Sequence, residues 1–148
     1  MQVRTAEAQW WGDLKQGKGT MHFADYQGPF TYASRMETGA GTNPEELLGA
    51  AHAGCYSMAL AVALSRAHAE PRHIFTRAQV HFGLQDGAYT ISAIDLACEA
   101  EVRGITDEQF QQVAEEARRN CPVSRALAAT PIRLAAILVA SPGERKTA

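Results

Sequence analysis

Three side chains in this sequence can attack through sulfur: Cys55, Cys98 and Cys121, which lie 43 and 23 residues apart. There is no C-x-x-C among them, and a metal site would have to be drawn from His52, Cys55, Cys121 and one of His22, His68, His73 or His81. Only His52-x-x-Cys55 is close-spaced, which is little on which to found a four-ligand set, and no metal is expected. The same pair could act as base and nucleophile, since residues three apart share a helix face, but acyl transfer also needs an oxyanion site that the sequence does not display. A lone histidine on a mostly apolar helix is more often a satisfied packing residue. The loop Gly39-Ala-Gly41 lacks the further glycines and the lysine of a phosphate cradle, and no organic cofactor is expected.

The three cysteines stand in different surroundings. Cys98 shares its alternating register with Leu96 and Ala100, which reads as a small buried hydrophobe. Cys55 follows Ala50-Ala-His-Ala-Gly, where small residues let another backbone approach the sulfur, so either reactivity or tight helix packing explains it. Cys121 directly precedes Pro122 at a break between helical segments, where a sulfur can face free N–H groups. That favours a thiolate, although a capping thiol without chemistry fits the same position.

Positioning these groups requires an α+β chain with a largely antiparallel sheet and a long central helix. The segment Val3 to Asp13 reads as a strand, followed by turn-rich sequence with Gly12, Gly17, Gly19 and Gly28-Pro29 before Phe30 to Ser34 extends again. Asn43-Pro44-Glu45-Glu46 supplies a cap and an acidic first turn, opening a helix over roughly Pro44 to His68. Its stretch from Leu47 to Leu64 is apolar enough to suggest a membrane, but the small residues point to a helix buried in protein. Ile74, Thr76, Ala78, Val80, Phe82 and Leu84 alternate with polar or exposed positions, Asp86-Gly87 makes a hairpin turn, and Ile94 to Val102 alternates again. Thr106 to Gln109 resembles a capping box ahead of a helix whose inner face is Phe110, Val113, Ala114 and Ala117. A short helical turn follows Pro122, Ile132 to Val139 is a last strand, and a polar, frayed tail ends the chain.

The 148 residues, 46% apolar and 20% charged with a net charge of −2, describe an ordinary globular protein and a single domain over 1–148. The 14 Lys and Arg residues are scattered, which excludes a phosphate-binding stripe and hence nucleic acid. The N-terminus has neither the basic-then-apolar build of a signal peptide nor the acid-poor composition of a transit sequence. Without a disulfide framework, a reducing cytoplasm is the expected location.

Two long segments carry a resemblance: Thr31 to Leu60, including Thr-Asn-Pro-Glu-Glu-Leu-Leu-Gly-Ala-Ala-His-Ala-Gly-Cys-Tyr-Ser, and Asn120-Cys-Pro-Val-Ser-Arg-Ala-Leu-Ala. With the opening Glu-Ala-Gln-Trp-Trp-Gly-Asp-Leu-Lys, they closely resemble the osmotically inducible protein C (OsmC) family, which also includes the organic hydroperoxide resistance (Ohr) proteins. The resemblance implies a thiol-dependent peroxidase acting on organic hydroperoxides in stress defence, built as an intertwined homodimer with sites at the subunit interface. By position, Cys55 matches the peroxidatic cysteine and Cys121 the resolving one. Arg35 matches the activating arginine, in the OsmC placement, and Glu45 the carboxylate that pairs with it. The implied reductant is a dithiol of the dihydrolipoyl class. The rival expectation on this scaffold is a non-redox receptor for a small ligand.

Two further expectations concern the site. Leu48, Tyr56 and Met58 with the small residues around Cys55 are expected to line an apolar pocket for a substrate tail. Glu45 and Cys55 lie ten residues apart on one helix, roughly 15 Å along its axis, so a Glu45 that serves a Cys55 is expected to come from a partner chain.

Overall fold

In chain order the elements are β1 (Glu7–Trp11), β2 (Lys18–Phe23), β3 (Tyr26–Phe30), α1 (Tyr32–Met36), α2 (Pro44–Arg66), β4 (Glu70–Gln85), β5 (Ala88–Arg103), α3 (Asp107–Asn120), α4 (Pro122–Ala126) and β6 (Ile132–Val139). They are seen in a computed structural model that describes residues 1–139. The tail expected after Val139 lies outside the described residues. The chain divides into two compact units, Met1–Leu47 and the remainder from Leu48.

The first unit is an antiparallel meander in the order β1-β2-β3. Gly12 and Gly17 lie in the β1–β2 connection as expected, but Gly19 and Gly28 are strand residues. Gly19 pairs with Trp10 on one side and Phe30 on the other, and those two rings meet at 5.3 Å between centroids. A Cβ on Gly19 would stand 2.5 Å from the Phe30 ring, so the missing side chain makes room for an aromatic contact. β1 is shorter than the expected Val3 to Asp13. The expected extension of Phe30 to Ser34 is overturned too: β3 stops at Phe30, and Thr31 caps the one-turn helix α1 through reciprocal bonds with Ser34. Asn43 caps α2 as expected, its side-chain oxygen accepting from Glu46 N–H at 2.8 Å.

The second unit holds the sheet β4-β5-β6. β4 and β5 form a long antiparallel hairpin closed by Asp86 and Gly87, both at positive φ. Ile74, Thr76, Ala78, Val80 and Phe82 turn inward as the alternation predicts, but Leu84 is 68% exposed. A register shift between His81 and Phe82 accompanies this departure near the hairpin end. β6 pairs with β5 in parallel, so this sheet is mixed. α2 ends at Arg66, two residues early, in a Schellman arrangement: Ala69 N–H donates to Leu64 O, His68 N–H to Ser65 O, and His68 takes the left-handed conformation.

The core gathers Tyr56, Leu60 and Leu64 of α2, alternate residues Ile94 to Val102 of β5, and Phe110, Ala114 and Ala117 of α3. Cys98 lies there as expected, 1% exposed. The expectation that α2 is enclosed by protein holds for one face only: 28% of its most apolar stretch is buried. Met58 and Val62 on the other face are 74% and 50% exposed.

Candidate active site

Cys121 occupies the junction that the sequence suggests. Its N–H closes α3 by donating to Ala117 O at 2.9 Å, and Pro122 opens α4 behind it. The residue is fully buried. Burial pushes its thiol upward, yet the backbone N–H groups of Ser124 and Val123, the Ser124 hydroxyl and the Cys55 thiol all donate to the sulfur. The donors prevail, and the Cys121 thiol titrates below the ordinary range.

Cys55 projects from the middle of α2 and is half-buried. Burial raises its pKa first, and the hydrogen bond and charge of Cys121 raise it further against a lowering contact from Val123 N–H. The two sulfurs are therefore neighbours on separate elements, each shifting the titration of the other. Both are free thiols. Cys98, the third, is held protonated by burial, with Thr76 donating against that trend.

Cys55 also lines an open groove of about 550 Å³ between α2 and α3. Met58, Ala59, Val62 and Ala63 give this groove an apolar wall, while Arg66 and Glu116 add charge. Of the larger side chains expected there, Met58 lines it and Leu48 and Tyr56 do not. Tyr56 turns the other way into the core, its hydroxyl donating to Ala114 O at 3.3 Å, and Leu48 packs against that core. Helix periodicity explains this: Tyr56, Leu60 and Leu64 recur every four residues on the buried face, and Met58 and Val62 lie on the opposite one.

In the first unit, Arg35 and Glu45 form the expected pair. Arg35 Nε and Nη2 both donate to the Glu45 carboxylate, at 3.1 Å to Oε2 and 2.6 Å to Oε1 respectively. α1 presents the arginine and the first turn of α2 presents the glutamate, which is 8% exposed. A forked guanidinium–carboxylate contact of this kind fixes orientation as well as charge.

Sequence reasoning missed Ser124. The base role considered for His52 gives way to a different contact: His52 Nε2 lies 2.7 Å from Ser124 Oγ, and both residues are buried. His52 Nδ1 is buried without a hydrogen-bond partner, and burial holds the imidazole below its ordinary pKa. Ser124, three residues after Cys121 at the start of a helical turn, stands where a hydroxyl can reach back to the preceding cap. That was the available signal. Among the described residues, no group of three or more His, Cys, Asp or Glu gathers to hold a metal.

Known proteins share this arrangement of elements. The chain is 41% identical over 129 residues to Peroxiredoxin OsmC of Escherichia coli, covering 85% of this chain and 90% of that protein, and equally to its counterpart from Shigella flexneri. Its fold is similar to that of an OsmC-like protein from Mycoplasma pneumoniae (TM-score 0.74, 15% identity, 93% of this chain and 98% of that one). It is also similar to the organic hydroperoxide resistance protein OhrB of Bacillus subtilis (TM-score 0.70, 23% identity, 89% and 97%). Residues 37–135, which include Glu45 and both sulfurs of the neighbouring pair, match the family described as OsmC-like protein. With two thirds of its length inside that match and a relative of this identity along most of the chain, the protein belongs to the OsmC-like family.

Proposed function

We propose that this chain is a thiol-dependent peroxidase that reduces organic hydroperoxides to alcohols, with Cys55 attacking and Cys121 resolving. The observation that carries the reading is the pair of free, neighbouring sulfurs, one lining a groove and the other fully buried. A peroxide can approach Cys55 from the groove. Relatives named peroxiredoxin and organic hydroperoxide resistance protein support the same chemistry.

In the first step the Cys55 thiolate attacks the outer peroxide oxygen. The O–O bond breaks, the alkoxide takes a proton to leave as the alcohol, and sulfur becomes sulfenic acid. Cys121 then displaces hydroxide from that sulfur and closes the disulfide before further oxidation. An external dithiol restores both thiols, and the dihydrolipoyl class fits because it delivers two thiols together. A cytoplasmic setting would keep such a reductant available.

Within the pair, Cys55 is the less acidic member, so the attacking thiol needs a cation that favours its anion. Arg35, always charged and held by Glu45, is the residue we assign to that task. Because Glu45 and Cys55 are ten residues apart on the uninterrupted helix α2, about 15 Å along the axis, the assignment includes a homodimer in which one chain's Glu45 serves its partner's Cys55. The exposed Met58 and Val62 supply apolar area for such a contact. The proposal also treats 1–148 as one domain, with α2 continuous from the first unit into the second.

A non-redox receptor role is not favoured, since it gives no reason for two thiols in contact. Free-thiol titration before and after one equivalent of cumene hydroperoxide tests the choice. Loss of two thiols with a Cys55–Cys121 disulfide by peptide mass spectrometry supports the peroxidase, and unchanged thiols would refute it.

A further inference from the structure

Each of the two cysteine-bearing segments carries a buried polar side chain three residues from its sulfur. His52 lies one turn before Cys55 on α2. Ser124 lies inside α4, three residues after Cys121, and that turn is anchored on the cysteine by Arg125 N–H donating to Cys121 O at 3.0 Å. His52 Nε2 and Ser124 Oγ meet at 2.7 Å, with the two residues 0% and 5% exposed. The contact ties the stretch of α2 that holds one sulfur to the helical turn that follows the other. Cys55 and Pro122, the residue next to Cys121, also line one groove.

Stability does not account for this pair. Replacing both partners of a buried hydrogen bond by apolar groups of the same shape is nearly neutral. His52 brings a further cost, because its Nδ1 is buried without a partner. What the hydrogen bond adds over an apolar contact is a fixed separation, since it weakens once the two atoms part by more than roughly half an ångström. Buried groups that lose each other find no water in exchange, so the two helices are held in one register.

We propose that His52 and Ser124 are positioning residues for disulfide closure, their hydrogen bond latching α4 onto α2 so that Cys121 stays within reach of Cys55. The inference rests on the peroxidase reading and concerns its second half-reaction. There the Cys121 sulfur attacks the Cys55 sulfenic sulfur, an S–S bond forms, the S–O bond breaks, and the departing hydroxide leaves as water with the proton given up by the Cys121 thiol. His52 and Ser124 make and break no bond in this step. The latch holds in either tautomer of the neutral imidazole, because the hydroxyl can donate to Nε2 or accept from it.

The test is rapid mixing of the reduced full-length protein with one equivalent of cumene hydroperoxide, acid quenching, and mass spectrometry that separates sulfenic acid from disulfide. Ser124→Ala and His52→Leu should form the sulfenic acid within about twofold of the wild-type rate and close the disulfide on the order of tenfold more slowly, the scale of one lost hydrogen bond. The double variant should close no more slowly than either single one, because both remove the same latch, whereas independent packing defects would multiply. His52→Gln, whose amide can donate or accept in place of Nε2, should recover most of the closure rate. Wild-type closure in Ser124→Ala would overturn the proposal. So would losses that multiply in the double variant, or a His52→Gln protein as slow as His52→Leu. If the His52 variants do not fold, Ser124→Ala decides alone. A wild-type protein that formed neither sulfenic acid nor disulfide would instead refute the peroxidase reading, and this inference with it.

Discussion

Arg35 Nη2 approaches Glu45 Oε1 to 2.6 Å while its Nε shares the same carboxylate, so one edge of the guanidinium is fixed by a side chain that is 8% exposed. Lysine offers no such fork. Arg35→Lys is therefore expected to keep the charge but lose its aim, lowering kcat/KM for an organic hydroperoxide by about ten- to a hundredfold. Equal activity in Arg35→Lys would show that charge alone suffices.

The same pair bears on assembly. A heterodimer of one Cys55→Ser chain and one Glu45→Gln chain, purified with two tags, should retain about half of wild-type activity, because sharing between chains leaves one intact site. Two impaired sites would mean that Glu45 serves the Cys55 of its own chain.

The division between the two thiols predicts different failures. Cys55→Ser should abolish peroxide reduction. Cys121→Ser should consume one equivalent, fail to turn over with a dithiol and drift to sulfinic acid at Cys55, which mass spectrometry would record. Cys98→Ala should leave turnover unchanged and cost about 1 kcal/mol in denaturant unfolding, since the residue is 1% exposed and removing its sulfur leaves a small void.

The groove wall of Met58, Ala59, Val62 and Ala63 favours an apolar substrate tail. Cumene hydroperoxide should show a higher kcat/KM than hydrogen peroxide, with each buried methylene contributing up to about 0.8 kcal/mol. Ala59→Phe should narrow that preference by filling the groove. Equal specificity constants for both peroxides in the wild type would exclude a role for the wall.

Stability should fall in acid in two windows. Burial holds His52 below its ordinary value of 6.5, so the unfolded chain binds the proton more readily; the stabilising contribution is complete above that pH and declines as pH falls towards the lower folded value. His52→Gln should lack this first decline. Asp95, lowered by its hydrogen bonds to Arg133 and His81, and Glu115, lowered by Arg118, lose their contributions only as pH falls through the carboxylate range. Denaturant titrations of wild type and His52→Gln at a series of pH values would resolve the windows.

Local rules in the sequence determined much of this protein. Alternation placed Cys98 in the core, Thr106 and Gln109 capped α3, Asp86-Gly87 closed the long hairpin, and Pro122 marked the break that bares N–H groups beside Cys121. Each depends on residues a few positions apart, where propensity and hydrogen-bonding geometry are readable. The pairing of Arg35 with Glu45, by contrast, was legible only through family resemblance. Tertiary structure decided what depends on distant neighbours. Gly19 became a strand residue because Trp10 and Phe30 meet over it, and β6 joined β5 in parallel. Which face of α2 turned inward took Tyr56 from the groove to the core. Above all, His52 found Ser124 across 72 residues of sequence. No periodicity records such a contact, because a buried polar group is satisfied by whatever donor or acceptor the packed chain brings within reach.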